Sequence, residues 1–295
     1  MDTRLKVFKA VADQLSYTRA ARVMKISQPA VSKHIAKLEA QFGKALINRE
    51  GGRISLTPEG ELLLSYANRI LDLYKTLEQD FLALDDQFPP HLVMGASTTI
   101  SQYILPKDLS ELKKLYPSLE ITLINGNTEK IEQLVLDKQI DLGFTEGKSV
   151  NPYLHYESYR ADEIVLATRV SSQLRKKDEV RFEELKKLPM IIREPGSGTR
   201  KVIESALSQK GIEPDDLNVE MVLGSTEGIK SYLLNTEAYA FLSIHAILDE
   251  LKTNQLRIIE VKKLDIKRHF QYVYLHGHAT HPIKMIQKIF SQRHN

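Results

Sequence analysis

The chain of 295 residues has no cysteine. That absence excludes disulfide bonds, thiolate nucleophiles and zinc bound by cysteine. The sequence also lacks any run of about 18 apolar residues, the length that a helix needs to cross a bilayer. The segment Met1–Lys9 has no apolar core of the kind that secretion signals carry. These absences predict a cytoplasmic protein without a membrane span.

Signatures of catalysis are missing as well. The patterns His-x-x-x-His and Gly-x-Ser-x-Gly and the Walker phosphate loop do not occur. His276, His278 and His281 lie close together in the sequence, but no acidic residues accompany them, so we interpret them as exposed polar residues rather than as a metal site. The sequence therefore predicts that the protein is not an enzyme and needs neither a metal nor a cofactor.

Acidic residues are scarce near the N-terminus. Residues 1–58 hold 11 Lys and Arg against four Asp and Glu, a net charge of +7, whereas the rest of the chain carries −4. A basic head on an acidic body indicates a polyanionic partner for the head alone. The alternative is a basic surface that is merely solvated.

Three short helices are predicted within this basic head. Apolar residues recur at helical spacing over Leu5–Leu15, a second helix covers Thr18–Met24, and a third begins after Ser27 with Pro29 in its first turn. Only the turn at 25–27 separates the last two helices, which is the geometry of a helix-turn-helix.

A wing and a long helix are predicted next. Short strands at 46–49 and 53–56 flank two glycines that permit a hairpin turn. Pro58 then begins an amphipathic helix that we expect to end near Asp86, with apolar residues at heptad-like intervals. Because such an apolar face needs cover, we predict a homodimer through this helix. Packing of this face against the second domain of the same chain is the alternative.

The remainder of the chain alternates strands and helices from His91 onward, which predicts an α/β fold. The predicted strands are 92–96, 120–124, 142–144, 164–168, 190–193, 218–222, 239–243 and 270–276. The predicted helices are 104–115, 129–136, 197–210, 228–234 and 282–292.

Motifs in both regions point to one family. Those of the basic head are Ser16-Tyr17-Thr18-Arg19-Ala20-Ala21, Ser27-Gln28-Pro29-Ala30-Val31-Ser32-Lys33-His34-Ile35, Leu38-Glu39 with Gly43, Leu46-Ile47-Asn48-Arg49 and Leu56-Thr57-Pro58-Glu59-Gly60. Those of the second region are Asp141-Leu142-Gly143-Phe144, Arg193-Glu194-Pro195-Gly196-Ser197-Gly198-Thr199-Arg200 and Ala240-Phe241-Leu242-Ser243. In this order and spacing they resemble the LysR-type family of bacterial transcriptional regulators.

The resemblance implies an architecture and a set of domains. The implied fold is a winged helix-turn-helix, a long linker helix and an α/β effector domain of two Rossmann-like lobes that resemble periplasmic binding proteins. We expect a DNA-binding domain at 1–58, a linker and dimerisation helix at 59–90 and an effector-binding domain at 91–295. Lobe I would comprise 91–162 and 268–295, and lobe II would comprise 163–267, with the chain crossing near 161–162 and 267–268. The resemblance also implies a homodimer or a homotetramer.

A recognition helix carries short or amide side chains near its start to reach base edges, and cations to reach phosphates. Cations beside a wing reach the minor groove or the DNA backbone. The residues predicted to contact DNA are Gln28, Pro29, Ser32, Lys33, Arg49 and Arg53. For each of the two arginines, a surface salt bridge is the alternative.

Hydroxyl groups and glycine amides at helix starts predict a site for a small anion, because they donate hydrogen bonds along the helix dipole. The residues predicted to bind the effector are Ser97, Thr98, Thr99, Ser101, Gln102, Thr145, Gly198 and Thr199, and Glu146 is a further candidate donor beside Thr145. For Ser97 and Thr199, helix capping without a ligand is the alternative. Arg200 is expected either to face the ligand or to pair with Glu194 or Glu204.

These features together predict a transcriptional regulator whose binding to promoter DNA is modulated by a small anionic effector between the two lobes. The rival is a solute-binding protein with the same two-lobed fold. Such a protein would need export, and the basic helix-turn-helix head argues against it.

Overall fold

A computed structural model describes residues 3–50, 53–84, 88–147, 151–170 and 178–291. The chain divides into two compact units, Met1–Gln87 and Phe88–Asn295. Among the described residues, no helix is both long enough and apolar enough to pass through a lipid bilayer.

The first unit consists of three short helices, a hairpin and a long helix, as predicted. Its elements are α1 Thr3–Gln14, α2 Tyr17–Met24, α3 Gln28–Phe42, β1 Ile47–Glu50, β2 Arg53–Leu56 and α4 Pro58–Leu84. Phe8, Val31, Ile35 and Leu38 form the centre of its core, and each is at most 1% exposed.

Local signals fix where these helices begin. The side chain of Ser16 accepts a hydrogen bond from the amide of Arg19, and that of Ser27 accepts one from the amide of Ala30. Such N-cap bonds satisfy backbone donors that have no partner within the helix. Lys25 adopts a left-handed conformation with φ of 54° at the end of α2, which turns the chain sharply into α3.

The helix α4 begins where the sequence predicts. Thr57 Oγ1 accepts a hydrogen bond from the amide of Gly60 at 2.9 Å and caps the first turn. Ala67 is buried in the core of the first unit. Among the side chains of α4 that the structure describes, the large apolar ones that are exposed are Leu62, Tyr66, Ile70, Leu73, Tyr74, Leu77 and Phe81. The predicted end near Asp86 lies outside the described residues.

The second unit is an α/β structure around one large mixed sheet. Its strands are β3 His91–Ser97, β4 Glu120–Gly126, β5 Leu142–Glu146, β6 Leu154–Arg169, β7 Glu179–Val180, β8 Met190–Arg193, β9 Val219–Leu223, β10 Tyr239–Ser243, β11 Leu256–Val261 and β12 Ile266–Leu275. The main strand order is β4-β3-β5-β12-β6-β10-β8-β9, with β11 beside β6 and β7 beside β11. Its helices are α5 Leu105–Leu115, α6 Thr128–Leu136, α7 Phe182–Leu185, α8 Gly198–Ser208, α9 Thr226–Asn235, α10 Ile244–Lys252 and α11 His281–Ser291.

Two long strands join the lobes of this unit. The strand β6 pairs with β12 in antiparallel fashion from Ile164↔Ile266 to Leu154↔Leu275. In lobe I, β12 pairs with β5, and in lobe II, β6 pairs with β10. The lobes are therefore connected by a pair of continuous strands, which allows side chains at the crossing to reach both of them.

Several sequence-based boundaries in the second unit are wrong. We predicted only 164–168 of β6 and only 270 onward of β12, and we did not predict β7, β11, α7 or α10. The first half of β6 alternates exposed polar residues, such as His155 and Glu157, with less exposed ones, so it lacks the apolar run on which the prediction depended. The segment Ile100–Ile104 is a π-helical turn before α5, a feature often found near functional sites.

Candidate DNA-binding surface and effector site

The predicted base-reading residues share the outer face of α3. Gln28, Pro29 and Lys33 are exposed, and Ser32 is half-buried beside them. The amide Nε2 of Gln28 donates a hydrogen bond to Ser32 Oγ at 3.1 Å, which orients the two polar groups together. The structure thus brings these four residues to one accessible surface.

The wing arginines are only partly described. Arg49 lies on β1 opposite Ile54, and Arg53 lies on β2 opposite Glu50. Their side chains lie outside the described part of the structure. Contact of these side chains with DNA stays a prediction.

The two hydroxyl clusters predicted for the effector come together in the structure. Ser97 is the last residue of β3 and Thr98 and Thr99 follow it, while Gly198 and Thr199 begin α8 in the other lobe. Each of these three hydroxyl residues at the end of β3 is at most 6% exposed, and Thr199 is 4% exposed. Glu146, the last residue of β5, lies between the two clusters, and its carboxylate contacts both of them.

Glu146 is the centre of this cluster. Its carboxylate accepts hydrogen bonds from Ser97 Oγ at 2.6 Å, from the hydroxyl of Thr199, and from the Arg268 guanidinium at 2.8 Å. Burial raises the pKa of Glu146, but the Arg268 charge and the two hydroxyl bonds outweigh that effect, so the net pKa lies below its ordinary value. The side chain is therefore ionised and acts as an acceptor, which corrects our assignment of Glu146 as a donor.

Arg268 connects Glu146 to the second lobe. Its Nε donates to Asp162 Oδ2 at 2.7 Å, and one of its terminal nitrogens donates to Thr199 Oγ1 at 2.9 Å. Asp162 in turn accepts a hydrogen bond from Ser243 Oγ at 2.6 Å. Our site prediction did not include Arg268 or Asp162. The signal that could have identified them is a charged residue within an otherwise buried stretch of strand. Ile164 lies two residues from Asp162 on β6, and Phe270 lies two residues from Arg268 on β12.

A second buried arginine links the lobes on the other side of the cluster. Arg193, at the end of β8, donates to Thr98 Oγ1 at 2.8 Å and to Thr226 Oγ1 at 3.3 Å. It also pairs with Glu194 at 2.7 Å. Sequence reasoning placed Arg193 in a family motif but did not assign it to the site.

Arg200 does not face this cluster. Its guanidinium pairs with Glu204 at 2.6 Å and donates to the carbonyl of Arg193 at 3.0 Å. Of the two carboxylates considered for it, the partner is therefore Glu204.

Three of the predicted effector residues lie apart from Glu146. Ser101 Oγ donates to the carbonyl of Thr98 and to Asn125 Oδ1. Gln102 is exposed. Thr145 is fully buried, and its hydroxyl has no partner among the described residues. Because successive side chains of a strand point to opposite faces, Thr145 lies on the other face of β5 from Glu146.

Gly198 allows the two lobes to approach each other closely. A Cβ atom at this position would lie 2.2 Å from the carbonyl oxygen of Glu146 and 2.4 Å from Thr128 Oγ1. Ser197 caps α8 by accepting a hydrogen bond from the amide of Arg200. The start of α8 thus packs directly on the end of β5, with no room for a side chain between them.

The described residues contain no group of three or more His, Asp and Glu that could hold a metal ion. In the C-terminal histidine cluster, His278 Nδ1 lies 3.2 Å from the carbonyl oxygen of His276.

Comparisons with known proteins agree with this architecture. Residues 3–61 match the family model for the bacterial regulatory helix-turn-helix protein of the lysR family, and residues 85–284 match the model for the LysR substrate binding domain. The HTH-type transcriptional regulator CysL of Bacillus subtilis is 32% identical over 270 residues, which cover 92% of this chain and 89% of that protein.

Solved structures show the same fold. The regulatory domain of Synechocystis CcmR, in complex with 2-PG, is similar with a TM-score of 0.62 at 24% identity, over 70% of this chain and 98% of that chain. Full-length CbnR in complex with its target DNA is similar over 100% of both chains, with a TM-score of 0.57 at 18% identity.

A helix-turn-helix with an exposed recognition face is thus joined in one chain to a two-lobed α/β domain. Both parts match models of the same family, and a relative above 30% identity spans nearly the whole length. The chain therefore belongs to the LysR-type family of transcriptional regulators, which bind DNA and small-molecule effectors and are not enzymes.

Proposed function

We propose that this regulator reads promoter DNA with α3 and that a small anionic effector, bound between its two lobes, modulates that binding. The observation that carries the first part is the accessible face formed by Gln28, Pro29, Ser32 and Lys33. An amide near the start of the helix fits an adenine edge, and a cation one turn later fits a phosphate or a guanine. We also propose that it acts in the cytoplasm, where a bacterial regulator meets promoter DNA.

Replacing Lys33 by alanine tests this assignment. If Lys33 contacts a phosphate, the variant should bind its operator more weakly, and the log–log slope of affinity against salt should fall by about 0.9. Fluorescence anisotropy over a range of salt concentrations measures both quantities. The matched control is Lys114→Ala, an exposed lysine of the second unit. Equal slopes for the wild type and Lys33→Ala would remove Lys33 from the DNA interface.

The effector site is proposed at the interlobe cluster, in the neighbourhood of Thr98, Thr99, Thr199 and Gly198. Two buried guanidinium groups, those of Arg193 and Arg268, approach these hydroxyls. The starts of α8 and α9 face the same region and add the positive ends of two helix dipoles. The complex of the similar CcmR domain with 2-PG supports a small ligand in this type of domain.

Replacing Thr98 by valine tests the effector site. The change keeps the shape of the side chain and removes one hydroxyl, so we expect the affinity for an anionic effector to fall by about tenfold, a typical loss for one hydrogen bond to a charged group. Small anions that raise the melting temperature of the full chain identify the ligand, because binding to the folded state stabilises it. Thr122→Val, at an exposed position of β4, is the control. Unchanged affinity in Thr98→Val would place the effector elsewhere.

We further propose that the protein acts as a homodimer or homotetramer through α4 and that effector binding closes the two lobes. Closure would then change the spacing of the DNA-binding heads and hence the bend of the DNA, to the extent that the effector prefers the closed state. Footprints and DNA bend angles that are identical with and without a saturating effector would contradict this coupling.

A further inference from the structure

The hydroxyl groups of the interlobe cluster do not all present the same chemistry. A hydroxyl has one proton to donate. Ser97 and Thr199 both donate that proton to Glu146. Toward a ligand they therefore present lone pairs only, and the neighbouring carboxylate is negatively charged. This part of the cluster, Ser97 with Glu146 and Thr199, is an acceptor surface and repels anions.

The hydroxyl of Thr98 is arranged in the opposite way. Thr98 Oγ1 accepts a hydrogen bond from Arg193, as does Thr226 Oγ1. Accepting leaves the proton of Thr98 for a ligand. Arg193 pairs with one carboxylate, that of Glu194, so this side of the cluster carries no net negative charge, whereas Arg268 lies between two carboxylates. The part formed by Thr98 with Arg193 and Thr226 is thus a donor surface that suits an anionic group.

Arg268 does not offset the negative charge of the acceptor surface. Its guanidinium lies between two buried carboxylates, Glu146 at 2.8 Å and Asp162 at 2.7 Å. One terminal nitrogen of Arg268, Nη2, is buried and has no hydrogen-bond partner among the described residues. Since the two terminal nitrogens share one carbon atom, Nη2 lies beside the nitrogen that binds Glu146. Its two N–H groups can donate to a neutral oxygen placed next to the carboxylate.

We infer that Glu146 is a specificity-determining residue and that the effector is a small hydroxy acid with a single anionic group. Its anion faces Thr98 and Arg193. Its hydroxyl donates to Glu146 and accepts from Arg268, which a hydroxyl can do at the same time because it has both a proton and lone pairs. A second anionic group would lie against Glu146 and is excluded, and an acid without a hydroxyl would leave the buried Nη2 of Arg268 without a partner. This inference rests on the interlobe effector site proposed above and names its ligand class.

Three acids with the same number of carbon atoms test this ligand class on the full chain. Lactate has one carboxylate and a hydroxyl, propionate has the carboxylate alone, and malonate has two carboxylates. Isothermal titration calorimetry should show that the wild type binds lactate at least tenfold more tightly than propionate or malonate. In Glu146→Gln, which keeps the shape and removes the charge, malonate should gain at least tenfold in affinity and the preference for lactate over malonate should disappear.

The outcomes separate this inference from the proposed site. Wild-type protein that binds malonate or propionate as tightly as lactate overturns the role of Glu146 while leaving an interlobe anion site in place. Because that comparison needs no variant, it decides the point even if Glu146→Gln fails to fold. Binding of none of the three acids to the wild type overturns the ligand class, whereas the interlobe site itself is decided by the anion screen and the Thr98→Val variant described above.

Discussion

Replacing Arg268 by methionine should lower the free energy of unfolding of the second unit by about 3–5 kcal/mol, the usual cost of removing one partner from a buried ion pair. Its side chain is 3% exposed and lies between Glu146 and Asp162, which are 2% and 0% exposed. Methionine fills much of the same space, but it leaves two carboxylates without their cation. Denaturant unfolding followed by circular dichroism measures the loss.

The stability of this variant should also depend on pH in the opposite direction from that of the wild type. In the wild type the pKa of Glu146 is held below its ordinary value of 4.5. Its contribution to stability is therefore full above that value and is lost as the pH falls through the folded pKa. Burial is the largest influence on this carboxylate and Arg268 is the largest one that opposes it, so we expect the pKa of Glu146 to rise above the ordinary value once Arg268 is removed. The variant should then become more stable as the pH falls from neutral toward 4.5.

The neighbouring lysine provides the control for this experiment. Lys267 is exposed and pairs with the exposed Asp265. Lys267→Met should change the free energy of unfolding by less than about 0.5 kcal/mol, as is usual for surface positions. A similar small change in Arg268→Met, with the pH dependence of the wild type, would show that the buried pair does not hold the lobes together.

The first unit was predictable because its signals are local. Ser16, Ser27 and Thr57 cap helices within three residues of their partners, and Gly43 ends α3 in a left-handed conformation. Each of these bonds depends on neighbouring positions in the sequence, so the pattern of residue types determines the element. The recognition face of α3 follows directly, since the buried residues of the helix leave only one side accessible.

The position of the interlobe cluster was predictable from the sequence, but its hydrogen bonds and charges were not. The hydroxyls after β3 and at the start of α8 do meet in space, as helix starts at the ends of strands should. The group that joins them, Glu146, pairs with Arg268, which is 122 positions away in the sequence. Nothing local distinguishes either residue from a surface charge, because their partners come together only when β5, β6 and β12 align. Hence sequence reasoning assigned free donors where the structure shows hydroxyls that already donate to an internal carboxylate.

Introducing aspartate at both Leu73 and Leu77 should abolish self-association through α4. These side chains are 70% and 49% exposed and lie on the apolar face of the helix. Burial of one leucine stabilises an association by about 1.5–3 kcal/mol, and a symmetric dimer buries each residue twice. The double variant should thus weaken the dimer by more than about a hundredfold. Sedimentation equilibrium measures this change, and binding to a two-half-site operator should fall with it.

A charge change on the far side of α4 is the matched control. Glu61 lies sixteen residues before Leu77, which places it about 160° around the helix from that residue. Glu61→Lys should leave the dimer intact, because it alters the charge without touching the apolar face. If the Leu73→Asp, Leu77→Asp protein remained a dimer, the association would have to use another surface. A folded monomer that still bound a single half-site weakly would instead assign α4 the role of fixing the spacing between two recognition helices.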